Sequence, residues 1–375
     1  MACCFAVLKN AGNTRADFTG YVEAGNLAFH HTNIYASEFN TWPPTFSFLC
    51  IPLYLFNQLS PWFLQFFWLA GTCIAFYFIL KWAYELVHET RLKTLDWKFI
   101  VPLLLCFRIF YEELINVQIN VYMLFFSILA LRLIKINKHA FFTGLSLAIT
   151  ICCKVYTLIL LPFLVYKKKY QAALFTVVSI LIFYSFTAFY FGWAETRVLF
   201  QTWANKDLMS KHIFDHNNQS IWSFITGLTT DFSRFNDFHF NLFSLSIEQS
   251  KLITLSILAL LGIFLAIKFY TTAKTKHAFY WQALVVLSLI PVVSPLAWKY
   301  YFVFLSPLII TLYPLIAEHK QWKWAYYIPL FLIILCSELF VGSYFSDVLE
   351  SLGIITFGSL FFSLFSIFIF EKSYE

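Results

Sequence analysis

Charge is what this sequence has least of. Asp, Glu, Lys and Arg make up 12% of its 375 residues, about half the usual share, while 60% of the chain is hydrophobic. Mean hydropathy is +0.70. A soluble globule of this length has to cover itself with polar groups, and 26 basic and 20 acidic side chains are too few for that. The scarcity excludes a soluble enzyme, a disordered chain and a nucleic-acid binder. Metal-type spacing is lacking as well. Cys3, Cys4, Cys50, Cys73, Cys106, Cys152, Cys153 and Cys336 lie mostly inside apolar runs, so they read as small apolar fillers rather than a disulfide framework. His30 and His31 have no acidic or cysteine partner at ligand spacing. The opening MACCFAVLKN is too short for a signal peptide, and no internal repeat relates the two halves.

What the chain does have is long apolar runs. They are Trp62–Leu80, Phe99–Tyr111, Val117–Leu131, Ala140–Cys153, Tyr156–Tyr166, Ala172–Phe191, Leu252–Ile267, Phe279–Val293, Tyr301–Ala317, Ala325–Val341 and Gly353–Phe370. They predict a single all-α polytopic membrane domain over residues 1–375, with about 11 crossings, some short or broken. Thr45–Phe56 is too short to cross and reads as a re-entrant or interfacial helix.

Basic residues orient this scheme. With one crossing per run, 16 of the 26 fall on one side, all in short loops or the tail, among them Lys135, Lys138 and Lys167–Lys169. That side is read as cytoplasmic. Residues 1–61 and the long loop Gly192–Lys251 then face outward. Phe99–Leu131 and Ala140–Tyr166 must each go out and come back, and the second is too short for two full crossings. Their turning points sit in the outer half of the membrane. They carry Arg108, Glu112, Glu113, Asn116, Gln118 and Asn120 in one hairpin and Lys154 in the other. Polar breaks at that depth belong to a cavity or a protein interior. The alternative is one long tilted helix over Ala140–Tyr166. The outward turn Ser294–Tyr301 brings Trp298, Lys299 and Tyr300 to the same side.

Several residues there carry two readings. Asp17 either caps a helix over Tyr21–Phe29 or serves as a general base above the cavity. Lys154 and Arg108 either pair with Glu112 or Glu113 or contact a lipid phosphate. Asn116, Gln118 and Asn120 suit a hydroxyl-rich ligand or interhelical hydrogen bonds. Trp42, Trp62, Trp68, Trp193 and Trp203 fit an interfacial aromatic belt, and Asn218-Gln219-Ser220 is formally a glycosylation sequon.

The order of these features resembles a known family. An outer-loop aspartate (Asp17) is followed by AGNLAFHHTNIY and by Trp42-Pro43-Pro44 opening a short helix. Then come Gln118-x-Asn120, Lys154 closing a small-residue helix, Asn218-Gln219-Ser220 in a long outer loop, and Ser294-Pro295-x-x-Trp298. This looks like glycosyltransferase family 87, the polyprenyl-phosphate-mannose-dependent mannosyltransferases of the GT-C class. The resemblance covers about residues 15 to 317. It implies inverting transfer of a hexose, most often mannose, from a polyprenyl-phosphate sugar to a glycolipid or glycan hydroxyl. Transfer would take place on the outer face of the cytoplasmic (inner) membrane.

By that resemblance Asp17 is the base. By the same resemblance Lys154 and Ser294–Lys299, with Trp298 and Lys299, stand where the donor's phosphate and sugar are received. The chemistry of the residues adds Arg108, Gln118 and Asn120 to the donor side and makes Glu112, Asn218, Gln219, Ser220 and Tyr300 candidates for the rest of the acceptor or donor pocket. No cofactor is implied beyond the lipid-linked co-substrate, and a leaving lipid phosphate does not oblige a metal. The chain departs from the family pattern in three places. Members usually carry a transmembrane helix before the aspartate, whereas the 16 residues before Asp17 do not form a span. Val117 stands where a glycine is usual, and Tyr300 and Tyr301 stand where a histidine is.

The competing reading is a multi-pass transporter or lipid flippase, with Arg108, Glu112, Glu113 and Lys154 as a gating network. One-sided clustering of polar groups, the long aromatic outer loop and the lack of a repeat favour the enzyme. A membrane scaffold without ligands would have no use for Lys154 in an apolar run.

Overall fold

A lipid-embedded backbone has to satisfy its own hydrogen bonds, and the described residues of this chain do so in helices. The computed structural model describes residues 17–37, 40–94, 96–137, 139–206, 212–231 and 240–374, and every regular element among them is helical. Cys3, Cys4, the MACCFAVLKN segment, Lys138 and parts of the long outer loop lie outside the described residues. The six described cysteines are all free thiols.

The chain divides into two compact units, Met1–Trp82 with Tyr111–Asp207, and Ala83–Phe110 with Leu208–Glu375. The first holds α1 (Asp17–Phe29), α2 (Pro44–Leu49), α3 (Ile51–Leu59), α6 (Asn120–Lys135), α7 (Ala140–Cys153), α8 (Leu160–Tyr166), α9 (Tyr170–Phe191) and α10 (Trp193–Ala204). The boundaries fall within α4 (Pro61–His88) and α5 (Trp97–Ile115). The second holds α11 (Ile221–Thr229), α12 (Ile247–Thr271), α13 (Ala278–Val293), α14 (Ser306–Glu318), α15 (Lys323–Leu335), α16 (Glu338–Ser351) and α17 (Ile354–Tyr374).

Among the described residues, five segments can cross a membrane by length and composition: α4, α9, α12, Lys299–Glu318 and α17. A sixth is the pair Lys320–Leu335 and Phe340–Ser351, bent by 104°. Ala140–Cys153, Val155–Tyr166 and Ala278–Val293 are apolar but shorter.

In the first unit the outer segment is built on tight local contacts. Pro43 and Pro44 open α2, Cys50 ends it and starts α3, and Pro61 starts α4. Gly25 of α1 passes so close to the Cys50 carbonyl that a Cβ would collide with it. Ala28, Ile34, Tyr35 and Leu199 form a small core there. Burial pushes the Tyr35 phenol well up, so it stays protonated and donates to the Trp42 carbonyl at 2.9 Å.

Tryptophan placement departs from the belt expectation. Trp62 and Trp193 are exposed, but Trp42 is buried and Trp68 and Trp203 are partly so. The physical reason is a backbone acceptor within the protein for each of the latter two indoles: Trp68 donates to the Gln118 carbonyl at 3.2 Å and Trp203 to the Thr41 carbonyl at 3.1 Å.

Both expected helix breaks are present. α5 ends at Ile115 and α6 begins at Asn120, leaving Asn116–Ile119 as the turn. α7 ends at Cys153, where Lys154 is extended (φ −147°, ψ 124°), and a 3₁₀ turn over Val155–Ile159 follows. Lys168–Ala172 come back beside Asn137–Thr143, so Ala140–Tyr166 is a hairpin and not one tilted helix.

Candidate active site

The two breaks meet α1 within the first unit. Asp17 is the first residue of α1, where the positive end of the helix dipole suits a carboxylate. It accepts a short hydrogen bond from Gln118 Nε2. The same amide's Oε1 accepts from Tyr21 Oη at 3.0 Å. Tyr21 and Phe18, one helical turn apart on α1, are both buried and pack on Trp68, which in turn holds the Gln118 backbone. Gln118 is therefore held at its side-chain oxygen by Tyr21 and at its carbonyl by Trp68, with Nε2 turned to Asp17.

A second arm runs from the other apex. Lys154 is almost wholly buried and donates through Nζ to Asn120 Oδ1 at 3.1 Å. Asn120 Nδ2 donates to Glu113 Oε2 at 3.0 Å, and the Val121 amide donates to Glu113 Oε1 at 2.8 Å. Lys154 also stands in the electrostatic field of both Asp17 and Glu113. One ammonium, two carboxylates and two amides thus form one network. A buried lysine of this kind needs such compensation.

Adjacent carboxylates have separate jobs here. Glu112, the one expected in the pocket, accepts from Asn116 Nδ2 at 3.4 Å. Glu113 is the fully buried one. The helical phase carries the signal: Cys106, Ile109, Phe110, Glu113 and Leu114 form one buried stripe, while Glu112 is off it. Tyr21 and Trp68 gave no comparable sign.

The turn between these arms is strained. Val117 sits at φ +48°, a region a β-branched residue rarely adopts. Val117→Gly is expected to raise stability by roughly 1 kcal/mol without loss of activity. A thermal melt of both proteins in the same lipid checks this; a destabilised variant would mean that the buried Val117 side chain outweighs the strain.

The remaining candidates lie in the second unit. Asn218 Nδ2 donates to the carbonyls of Pro295 (3.2 Å) and His212 (3.1 Å), and its Oδ1 accepts from the Ala297 amide at 3.0 Å. The Gln219 amide donates to Ala297 O at 2.7 Å, and Ser220 Oγ accepts from the Ser223 amide as the N-cap of α11. Asn-Gln-Ser and the Ser294–Trp298 turn are thus brought together as a backbone clamp. Asn218 is buried with its amide spent, so the sequon is closed to modification in the folded chain. Trp298 lies edge-on to His212 at 5.6 Å, and Tyr300 lies against Tyr301 at 5.2 Å. Lys299 pairs with buried Glu350 at 2.5 Å, and Ser346 Oγ donates to the same oxygen at 2.7 Å. Arg108 contributes to the field at Cys336. Glu350 went unnoticed in the sequence because nothing local marks it as the partner of Lys299.

A chain with these breaks and this polar network is a membrane protein built around a buried charged site. The profile of glycosyltransferase family 87 matches residues 40–295. The chain belongs to glycosyltransferase family 87. It is therefore a membrane glycosyltransferase, and the transporter reading is not favoured. The match starts at Asn40, so Gln118, Asn120, Lys154 and Ser294 lie within it and Asp17 lies outside it. No curated protein and no solved structure is similar to the chain.

Proposed function

We propose that the protein is an inverting GT-C hexosyltransferase that moves a hexose, mannose by the family expectation, from a polyprenyl-phosphate sugar to a glycolipid or glycan hydroxyl. The chain would cross the inner membrane about 11 times, its shorter apolar segments included, with the Asp17 end of the network outward. The observation that carries the reading is the meeting of Asp17 and Lys154 in one network, at two broken-helix apices, in a family 87 chain.

In this reading the acceptor hydroxyl attacks the anomeric carbon as the bond from that carbon to the phosphate oxygen breaks. The hydroxyl proton passes to Asp17, and the lipid phosphate leaves with one more negative charge. Lys154 faces that growing charge, in a site too dry to screen it. Asn120 and Glu113 hold Lys154, and Tyr21 and Gln118 aim the Asp17 carboxylate. An arriving phosphate would share Lys154 and loosen its hold on Asp17.

The test is transfer of labelled mannose from polyprenyl-phosphate mannose in membranes carrying the wild type or Lys154→Met. Label in a lipid or glycan product is expected with the wild type. The variant is expected to lose about 10²–10³-fold in donor-dependent rate, as when one charge-stabilising group is removed. Label entering only from a nucleotide sugar would overturn the lipid-linked donor. Label entering from another polyprenyl-phosphate hexose would change the sugar and keep the mechanism.

A further inference from the structure

At the opposite end of α7 from Lys154, the first unit has a polar pocket of about 300 Å³. Asn137, Thr143, Lys168, Lys169 and Gln171 line it, together with the first residues of α7 and α9. We propose that this pocket binds a phosphate group carried by an anionic lipid of the membrane, a second lipid site distinct from the transfer site.

Charge balance is the first argument. From Leu114 to Ala194 the sequence holds no Asp or Glu at all, yet Arg132, Lys135, Lys167, Lys168 and Lys169 stand in or beside the two loops that form the pocket. None of the helices α6 to α9 carries a carboxylate of its own. Lys167 is set apart from its neighbours: partial burial pushes its ammonium down to about 8, and it lies over the Tyr166 ring. The lysines that line the pocket are Lys168 and Lys169.

Helix direction is the second argument. A Cβ on Gly144, in the second turn of α7, would meet the backbone of Phe175 and Thr176, in the second turn of α9. Tyr190, near the far end of α9, packs on Phe48 of α2, and Cys153, the last residue of α7, lies close to Cys50 just after α2. The two helices run parallel at close range, so their positive ends lie together and repel. Where a capping acceptor would normally sit, α7 has His139 and α9 has Lys169. A phosphate here would answer both helix ends and both lysines at once.

The surroundings favour a lipid over a soluble anion. Phe141, Phe142, Tyr170 and Leu174 are exposed around the pocket, as apolar and aromatic side chains are at the level of lipid headgroups. Basic pockets between membrane helices take anionic headgroups by the same electrostatics.

The purified full chain is placed in nanodiscs of phosphatidylcholine, or of phosphatidylcholine and phosphatidylglycerol in equal parts, and its melting point is read. Phosphatidylglycerol is expected to raise the wild-type Tm by roughly 3–6 °C. Lys168→Gln with Lys169→Gln should weaken the apparent affinity about 20-fold, near fivefold for each lysine, and so remove most of the shift. The control pair Lys320→Gln with Lys323→Gln, exposed and on other helices, should keep it. Gln171→Glu, a single exposed change, should remove it by placing a carboxylate in the pocket. The proposal is overturned if the Lys168/Lys169 pair keeps the shift, if the control pair loses as much, or if Gln171→Glu responds like wild type. Glycerol 3-phosphate giving the same shift in phosphatidylcholine alone would overturn the lipid source.

Discussion

Asp17→Asn is expected to lower transfer by about 10²–10⁴-fold while leaving the Tm within a few degrees of wild type. The replacement keeps the shape of the side chain and an oxygen that can still accept from Gln118 Nε2. Tyr21 stays buried against Trp68 and continues to hold Gln118. Only the negative charge and the basic oxygen are lost, and Lys154 keeps Glu113 as an anion in its field. A fall in turnover without a comparable fall in stability is therefore the signature of a general base. Turnover per folded molecule, with a melt on the same preparation, reads both. A variant that retains more than about a tenth of wild-type turnover would leave Asp17 a structural role, as the partner of Gln118 and Lys154. Asp17→Ala adds a second comparison: it also removes the acceptor for Gln118, so its extra cost in Tm over Asn measures what that hydrogen bond contributes to holding α1.

How far the residues could be read without coordinates depended on how local the signal was. Ala140–Cys153 is a helix with the bounds its apolar run predicts, because a charged residue inside such a run marks the end of the run as plainly as a turn does. The turn at Asn116–Ile119 was visible for the same reason. The depth of the two apices was expected from the charge bias and chain length together, since Ala140–Tyr166 is too short to cross twice. Choice of partner was not visible. Glu113 rather than Glu112 faces inward because of helical phase, a difference of one residue that composition does not register. Asn218, Gln219 and Ser220 look like ligand-binding groups in the sequence and instead brace the Ser294–Trp298 turn, some 77 residues away for Asn218 and Pro295. Lys299 looks available for a phosphate until Glu350 is found against it. In each case an amide or a charge announces that it needs a partner, and only the fold supplies which one.

Glu113→Ala should be the most destabilising single change in the network, at about 3–5 kcal/mol, because it strands a buried ammonium and a backbone donor together. Glu113 is fully buried and accepts from both Asn120 Nδ2 and the Val121 amide, the first amides of α6 being otherwise without helical partners. Glu113→Gln keeps an acceptor for Val121 but turns a donor toward Asn120 or Lys154, so it should fall between wild type and Ala. Activity should drop with stability even in the fraction that stays folded, since Lys154 would be left with Asp17 as its remaining close anion and would hold the base more tightly. A denaturation series in lipid with parallel transfer assays checks both effects. If Glu113→Ala costs less than about 1 kcal/mol, the network is not what holds the two apices together. The double variant Glu113→Ala with Lys154→Met separates the remaining explanations. Removing both partners should cost clearly less than the sum of the two single changes if they form one electrostatic unit, and should simply add if they are independent packing elements.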